Sequence, residues 1–532
     1  MAQRTESTAA RLWTTPNYHD LRVWLATFVV VFVIGSCWAI ASPRYGGPDE
    51  PAHTLRAYSV AHGEILGRER DAMGEPGTLV DAPVIYAQTN PACFAFQPAV
   101  TGDCLVVVGD EQVAEFPTSA GRHPPLYYAI VGLPTLLDTS GKSFFAMRVM
   151  NAAICAALIA SAMVTARRRQ WSSWLPTGIV VACTPMAFYL FGLVNPNAVE
   201  VAAAVGAWVG GLALIEESRV DRRVLLRFAV AVVLLALTRQ LGPLWVAIIG
   251  ASLAVLAGWA GVKRLAADRS VRAALAVCVA AGIAAMAWIV VVKPLDSTNS
   301  GVAPLTIAQS DIQRALVGEV GLLFREWVGV FGWGDTRLPE AVYFVWAIVF
   351  AGFVLALLAT SFRRIGLVVV ALTIGTFVLP AAIQYPGVRD ADLFWQGRYT
   401  LPLVVGVPLV AAWGLARWPR PVVAPGSLVV PLALVALFVA HVVAFAQNLR
   451  RYTVGSDGTV WFFTAERWTP PIASGILLLV YAAAIVAWLV IGRPRRVSAP
   501  PEAAIHPVDS GADIGSGDAA ALSAGGPLPT AR

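Results

Sequence analysis

Two neighbouring carboxylates and a histidine follow the first apolar segment of the chain, in the sequence GPDEPAH at residues 47–53. A carboxylate beside a bound hydroxyl group can remove its proton during nucleophilic attack, so Asp49 and Glu50 are candidates for general-base catalysis. An acidic pair at the end of a membrane segment is costly unless it is used, which makes it a functional hypothesis. The alternative is a solvated turn that ends the preceding helix.

His53 lies four residues after Asp49. The two side chains share a helical face if a helix begins close to Asp49, with Pro51 in its first turn. The sequence therefore places His53 in the same candidate site. The alternative is a capping or interface histidine.

A second polar segment, RHPPLYY at residues 122–128, lies further along the same loop. Cationic side chains such as Arg122 and a charged His123 could hold a phosphate leaving group and stabilise its developing charge. The prolines after His123 keep its backbone extended. The two segments together predict a group-transfer site formed by Asp49, Glu50, His53, Arg56, Arg122, His123 and Tyr127.

Polar residues also mark the ends of three later apolar segments. Asn197 and Glu200 follow a proline, Arg239 ends a short helix, and Arg398 precedes a late span. Arg398 is placed to bind an anion, bidentately if the anion is a phosphate. There are alternatives for each: Asn197 could cap a helix, Arg239 could extend to lipid phosphates, and the aromatic residues beside Arg398 are typical of an interfacial belt.

These residues must be positioned by membrane helices. The chain has 532 residues, of which 57% are hydrophobic and only 14% are charged, whereas soluble domains are about one-quarter charged. Apolar runs of about 17–25 residues recur along it, which is the signal of transmembrane helices. The sequence thus predicts an all-α, polytopic membrane protein of about twelve spans, at 22–41, 144–166, 172–194, 199–215, 224–238, 243–261, 272–292, 341–360, 365–383, 401–416, 427–446 and 472–491.

Arginine and lysine cluster in the short loops, so these loops and both termini are predicted to be cytoplasmic in the plasma membrane. The basic residues therefore encode topology and do not indicate nucleic acid binding. The first loop, 42–143, becomes a large external one, and its apolar segment 126–137 is too short to cross and is predicted to lie at the interface or to dip in and return. The predicted domains are a cytoplasmic N-terminus at 1–21, a membrane domain at 22–491 and a disordered cytoplasmic tail at 492–532.

Six cysteines are present. Cys93 and Cys104 lie in the large loop, where an oxidising exterior predicts a disulfide between them. The other four lie in apolar spans and are predicted to be small packing residues. No Cys/His spacing resembles a structural zinc site.

The segments PDEPAH, RHPPLYY, NPN, VFGWGDTRLP and QGRYTLP, in this order, resemble a family of bacterial multi-pass proteins catalogued as domain of unknown function 2142. The resemblance covers roughly residues 22–490. More distantly, the Asp-Glu pair and the PPLYY stretch are similar to the GT-C glycosyltransferases, most of all to the protein mannosyltransferases and the lipid A aminoarabinose transferase.

That resemblance implies a GT-C-like domain that transfers a sugar from a polyprenyl-phosphate donor to an acceptor on the outer face. By position, Asp49 would be the catalytic base and Glu50 its partner. His123 stands where the transferases often have a lysine beside the lipid phosphate, a departure that weakens its phosphate role because a histidine need not be charged. Asn197 stands where family members often carry an acid, so a metal site built from Asp49 would need Glu200 as its second carboxylate.

The leading hypothesis is therefore an inverting glycosyltransferase that uses a polyprenyl-phosphate sugar. Its partners would be membrane lipid, that donor, and an envelope glycan, lipid or protein as acceptor. A divalent metal is left open as a cofactor. The phosphate would be held by Arg122, His123, Arg239 and Arg398.

Two other classes stay open. One is a transporter or flippase of a lipid-linked envelope precursor, which would show charged residues deep within spans and internal repeats. Here the ionisable residues cluster at span ends. The other class is a non-catalytic scaffold of envelope assembly, against which the intact Asp49–Glu50 pair argues.

Overall fold

A computed structural model of the chain shows a bundle of long apolar helices. It describes residues 18–69, 78–87, 92–106, 109, 111–168, 174–293, 309–360, 363–384, 395–418, 423 and 427–494. The predicted disordered tail lies outside these residues from 495 onwards, and so does most of the predicted N-terminal segment.

The helices in the described part of the chain are α1 (Tyr18–Ala41), α2 (Glu50–Ala61), α3 (Pro125–Val131), α4 (Gly141–Arg167), α5 (Leu175–Ala182), α6 (Pro185–Phe191), α7 (Pro196–Glu216), α8 (Arg222–Thr238), α9 (Gly242–Ala267), α10 (Arg269–Val292), α11 (Gln309–Gly329), α12 (Glu340–Leu358), α13 (Arg363–Gln384), α14 (Gly397–Val404), α15 (Gly406–Ala416), α16 (Val429–Thr453) and α17 (Ser474–Gly492). The strands are β1 (Arg68–Glu69), β2 (Thr78–Pro83), β3 (Val113–Thr118), β4 (Val330–Phe331) and β5 (Thr336–Arg337).

Ten helices in the described residues are long and apolar enough to cross a membrane, with α14 and α15 counted as one. They correspond to ten of the twelve predicted spans, which confirms the multi-pass, all-α prediction. The predicted span 224–238 is the 17-residue α8, which is shorter than a typical crossing helix.

The predicted span 172–194 is not one helix but two short ones, α5 and α6. The break falls at Thr184, whose side chain accepts the N–H of Ala187 and starts the second helix. Pro185 then occupies the first turn, where its missing N–H is tolerated. The loop segment 126–137 is likewise divided, into the seven-residue α3 and a single turn of 3₁₀ helix, and neither piece is long enough to cross.

The core lies between α1, α4, α7 and α17, where α4 packs against both α1 and α7. Trp38 of α1 is fully buried there. Its ring lies 5.0 Å from Phe445, 5.3 Å from Tyr189 and 5.9 Å from Tyr481. Edge-to-face contacts of this kind add to the stability that burial provides, so the core draws α1, α6, α16 and α17 together.

A buried ion pair fixes the start of α2. Arg148 of α4 donates from Nε and Nη2 to the two carboxylate oxygens of Glu50, at 2.8 and 2.6 Å. Neither side chain is exposed. The same guanidinium donates to the backbone carbonyls of Ala39, Ser42 and Pro43 at 2.7–2.8 Å. One side chain therefore ties the end of α1, the following turn and the first residue of α2 to α4.

The turn between α1 and α2 is held by three further elements. The carbonyl of Gly46 accepts hydrogen bonds from the hydroxyls of Tyr189, at 2.7 Å, and Tyr452. The indole of Trp333 donates to the carbonyl of Tyr45 at 2.9 Å. Trp333 lies in the loop between β4 and β5, so this hairpin, α6 and α16 all fix the turn that precedes Asp49.

The large loop contains a disulfide between Cys93 and Cys104. Arg451 of α16 is buried beside the bridged segment and donates to the carbonyl of Phe94 at 2.8 Å. It also forms an ion pair with Asp335 of the β4–β5 hairpin, at 3.1 Å. The loop is thereby anchored to the bundle near the same turn. β2 pairs antiparallel with both β1 and β3 to complete its small sheet.

We expect Arg148→Met to lower stability strongly, because it leaves the Glu50 carboxylate buried without a partner. Breaking a buried pair in this way typically costs about 3–5 kcal/mol. The melting temperature of the detergent-purified protein measures the effect. Arg68→Met is the control, because it removes only surface pairs, those with Glu64, Asp81 and Glu115, and such pairs are worth about 0–1 kcal/mol each. Equal melting temperatures for the two variants would contradict this account of the turn.

Candidate functional site

Asp49 lies where the chain turns into α2, and the helix begins at the next residue. Its φ is 60°, in the left-handed region, which aspartate adopts more readily than most residues. The chain passes close to α6 here, and a Cβ on Gly47 would lie 2.3 Å from Leu193 Cδ1. The Asp49 side chain is 44% exposed, so its carboxylate is open at this end of the bundle.

Two arginines meet beside Asp49 on the ring of Tyr399. Arg398, in the first turn of α14, donates from Nη2 to Asp49 Oδ2 at 2.5 Å. Its Cζ lies 5.1 Å from the centroid of the Tyr399 ring, and that of Arg239 lies 4.7 Å from the same centroid. Contacts between a guanidinium and an aromatic ring are attractive, so one tyrosine holds both cations at the site.

Arg239 is also bound to the start of α7. It donates from Nη1 to Asn197 Oδ1, and its Nε lies 3.9 Å from Glu200 Oε2. Asn197 donates in turn to that carboxylate oxygen at 2.8 Å. The residue that caps α7 is Asn195, whose side chain accepts the N–H of Asn197. The Asn197 side chain therefore does not cap the helix. It forms hydrogen bonds with both Arg239 and Glu200.

Two histidines share one tyrosine hydroxyl. Tyr128 Oη lies 2.9 Å from His53 Nδ1 and 3.1 Å from His123 Nδ1. Because a hydroxyl carries one hydrogen, one imidazole accepts from it and the other donates to it. Arg56 lies beneath the group and donates to the carbonyls of His123, at 2.9 Å, and Ile65, at 2.6 Å.

Both imidazoles are neutral at neutral pH. Burial lowers the pKa of His53 well below its usual value, and the charges of Arg239 and Arg398 lower it further. The pKa of His123 is lowered in the same way, first by burial and then by Arg239, His53 and Arg56. The fixed positive charges of the site therefore belong to the arginines, and the histidines contribute hydrogen-bonding groups.

Residues 32–407 match the family described as "Predicted membrane protein (DUF2142)". The chain belongs to this DUF2142 family. No curated protein matches it. Among solved structures, ArnT from Cupriavidus metallidurans in the apo state is similar with a TM-score of 0.42 and 14% identity, over 91% of this chain and 77% of that one.

The structure of this DUF2142 protein brings six of the predicted site residues into one cluster around Asp49. The cluster is continuous, because the carbonyl of Asp49 accepts the backbone N–H of His53 at 3.0 Å and the guanidiniums of Arg239 and Arg398 share the Tyr399 ring. We refer to it as the Asp49 cluster. Its members are Asp49, His53, His123, Glu200, Arg239 and Arg398, together with Tyr128, Asn197 and Tyr399.

Glu50 does not belong to the Asp49 cluster, and the structure argues against its predicted catalytic role. The side chain is fully buried, and Arg148 binds both of its oxygens. One of them also accepts the N–H of Val194 at 3.0 Å. Glu50 would have to leave a charged partner before it could reach a substrate. Its described contacts hold the turn that carries Asp49.

Tyr127 and Arg122 each have a described contact outside the Asp49 cluster. The Tyr127 hydroxyl is buried and donates to Asn151 of α4 at 3.2 Å. This bond packs the loop against the bundle. Arg122 is half-buried, and its carbonyl accepts the indole N–H of Trp288 at 3.0 Å.

Three important residues are missed by reasoning from sequence. Tyr128 and Tyr399 read as interfacial aromatics, although both hold charged or titratable side chains in place. Arg148 lies within a predicted span, and an arginine at that depth is itself a signal that a buried carboxylate partner exists. That signal indicates a buried partner for Arg148 without deciding between Asp49 and Glu50.

The predicted metal ligands, Asp49 and Glu200, do not fit a divalent cation. Each carboxylate is next to a guanidinium, that of Arg398 or Arg239. Among the described residues, no group of three or more His, Cys, Asp and Glu side chains could hold a metal ion. Divalent cations in proteins take several such ligands, and the described residues do not supply such a set here.

We expect the DUF2142 protein to lose stability as the pH falls below about 6.5, the usual pKa of histidine. Since His53 and His123 have lowered pKa values in the folded state, the unfolded chain binds more protons in that range, and unfolding becomes more favourable. Melting temperatures between pH 8 and pH 5 measure the effect. His53→Gln should flatten the profile, and His19→Gln, at the exposed start of α1, should leave it unchanged. A His53→Gln profile as steep as that of the unmodified protein would refute this account.

Proposed function

We propose that the protein is a membrane glycosyltransferase that moves a sugar from a polyprenyl-phosphate donor to a cell-envelope acceptor on the outer face. The observation that carries the proposal is the pairing of Asp49 with Arg398. An exposed carboxylate can serve as a general base, and a buried guanidinium beside it can hold a phosphate. A base and an anion-binding group thus stand next to each other at one end of the bundle.

In the proposed reaction Asp49 takes the proton of an acceptor hydroxyl. The hydroxyl oxygen forms a bond with the anomeric carbon of the donor sugar. The bond between that carbon and the phosphate oxygen breaks, and its electron pair leaves with the polyprenyl phosphate. Because attack and departure occur on opposite faces of the carbon, a single displacement inverts its configuration.

Arg398 links the two halves of this reaction. Its guanidinium is bound to Asp49, whose carboxylate occupies a place that an external anion could take. A donor phosphate that binds Arg398 would take over this bond and release the Asp49 carboxylate for the acceptor. The base would then become available only when the leaving group is in place.

Arg239 supports a second contact with the phosphate. Its guanidinium lies on the same tyrosine ring as that of Arg398, and Asn197 fixes its direction. Donors that are fixed before reaction stabilise the charge that develops on a leaving oxygen. His53 and His123, which are neutral, would add hydrogen bonds but no charge.

The proposed outward orientation is supported by the distribution of arginines. Arg168 lies at the far end of α4 and bonds to Asp20 at the start of α1. Arg264 and Arg417 lie at the ends of α9 and α15. Because basic loops face the cytoplasm, these residues would place both termini inside the plasma membrane and the Asp49 cluster outside.

We expect Asp49→Asn to lower the rate of sugar transfer at least about a hundredfold, because general bases contribute about 10²–10⁴-fold to such reactions. The assay measures label passing from radiolabelled undecaprenyl-phosphate hexoses and pentoses to lipid and wall fractions of membranes that contain the protein. Glu115→Gln, an exposed carboxylate on β3, is the matched control and should be fully active.

Equal sugar transfer by Asp49→Asn and Glu115→Gln would mean that Asp49 is not the catalytic base. If the unmodified, folded protein transfers no label from any of these donors, the glycosyltransferase proposal fails, and a transporter or a scaffold becomes the better hypothesis. A flipping assay in vesicles would then separate these two classes.

We expect Asp49→Asn to bind undecaprenyl phosphate about 1.4- to fivefold more tightly than the unmodified protein. The substitution removes the carboxylate that competes for Arg398, and a half-exposed pair of this kind is worth about 0.2–1 kcal/mol. Binding is measured by the tryptophan fluorescence of the protein in nanodiscs. Arg398→Met should bind undecaprenyl phosphate more weakly in this assay. Weaker binding by Asp49→Asn would contradict the proposed exchange.

A further inference from the structure

We propose that Glu200 binds a hydroxyl group of the donor's sugar and so determines which sugars the site accepts. This inference rests on the proposed function, since it takes a polyprenyl-phosphate sugar as the ligand. Its starting point is an unused acceptor. Glu200 is 1% exposed, and its Oε1 is buried without a hydrogen-bond partner among the described residues.

An unpaired carboxylate oxygen in this position is costly. A buried polar group that makes no hydrogen bond typically costs about 1–3 kcal/mol, and more if it is charged. The other oxygen, Oε2, accepts from Asn197 and lies near Arg239. The side chain is therefore fixed, and Oε1 is left to accept a bond from a ligand.

The free acceptor lies in the Asp49 cluster. Tyr128 is close enough to interact electrostatically with both Glu200 and Asp49, and Arg239 is similarly close to both carboxylates. Arg239 shares the Tyr399 ring with Arg398. A phosphate held by these two arginines would place its sugar beside them. Glu200 is the buried carboxylate of α7 at this position.

The charge around Glu200 favours a neutral hydroxyl over an ammonium group. The Nε of Arg239 lies 3.9 Å from Oε2 and already balances the carboxylate. A cationic substituent on the sugar would meet like charge from both Arg239 and Arg398, which destabilises binding. A hydroxyl supplies the missing hydrogen bond without that repulsion.

The site also contains a buried hydrogen-bond donor that has no described partner. Arg398 is 6% exposed, and its Nε is buried without a hydrogen-bond partner among the described residues. The site therefore holds one unused donor and one unused acceptor, each on a charged side chain that another residue holds in place. A site with such a pair rejects analogues that lack the matching groups, because these leave the buried groups unpaired.

Binding in nanodiscs tests the inference independently of transfer. The probes are undecaprenyl-phosphate glucose, mannose and galactose, and undecaprenyl methyl phosphate, which has the same phosphodiester charge but no sugar. We expect the unmodified protein to bind at least one sugar lipid about tenfold or more tightly than the methyl ester, since hydrogen bonds to charged groups contribute about 1.5–3 kcal/mol. In Glu200→Gln the amide can still accept from Asn197, but its NH₂ group replaces Oε1.

Glu200→Gln should therefore lose most of this preference and bind the methyl ester within about twofold of the unmodified protein. Glu216→Gln, at the other end of α7 where the carboxylate pairs with Arg417, is the matched control and should keep the preference. Glu200→Asp retains an acceptor and should recover part of it. Melting temperatures check that each variant is folded.

Three results would overturn the inference. One is a preference that survives in Glu200→Gln. Another is an equal loss of affinity for sugar lipid and methyl ester, which would mean that Glu200 only positions Arg239. The third is the absence of any preference in the unmodified protein. The protein could also show a preference that depends on Glu200 and yet transfer no sugar. That result would support this binding site and refute the proposed reaction.

Discussion

The buried ion pair between Glu50 and Arg148 is the interaction on which the rest of the site depends. Both groups leave water completely, and such a pair is tolerated only when its geometry is good and its remaining polar atoms are bonded. Arg148 meets this condition through three backbone carbonyls, and Glu50 through the N–H of Val194. α1, α2, α4 and the segment before α7 are thereby held at one point, directly beside Asp49.

A second feature of the site is that its cations are balanced internally. Arg398 is paired with Asp49, and Arg239 lies beside Glu200. Tyr399 holds both guanidiniums on one ring, although like charges repel. The energetic cost of gathering two cations is therefore met by folding and not by the ligand. An anionic ligand enters a site whose donors are already oriented, which is the arrangement that electrostatic catalysis requires.

The sequence predicts the membrane architecture well, because apolar runs long enough to cross a bilayer are typical of transmembrane helices. It also predicts that a helix starts beside Asp49, since Pro51 favours a first turn. It does not distinguish Asp49 from Glu50, because neighbouring residues of one type carry the same local signal. Their roles are separated by Arg148, which lies 98 residues from Glu50 in the chain, and by a backbone turn that sends one side chain inward. Tyr128 and Tyr399 are missed for a related reason. The residues next to a tyrosine in sequence do not show whether its side chain faces the membrane or the site.

The left-handed backbone of Asp49 has an evolutionary consequence. Few side chains tolerate this conformation, and asparagine is one of them. Most replacements at this position would disturb the turn, whereas asparagine would remove the charge and keep the shape. Because Glu50 and not Asp49 holds the turn together, the chemistry at residue 49 and the fold around it are separable. Under the proposed function, one substitution in a gene copy would turn the transferase into a binding protein for the same lipid, with its architecture intact.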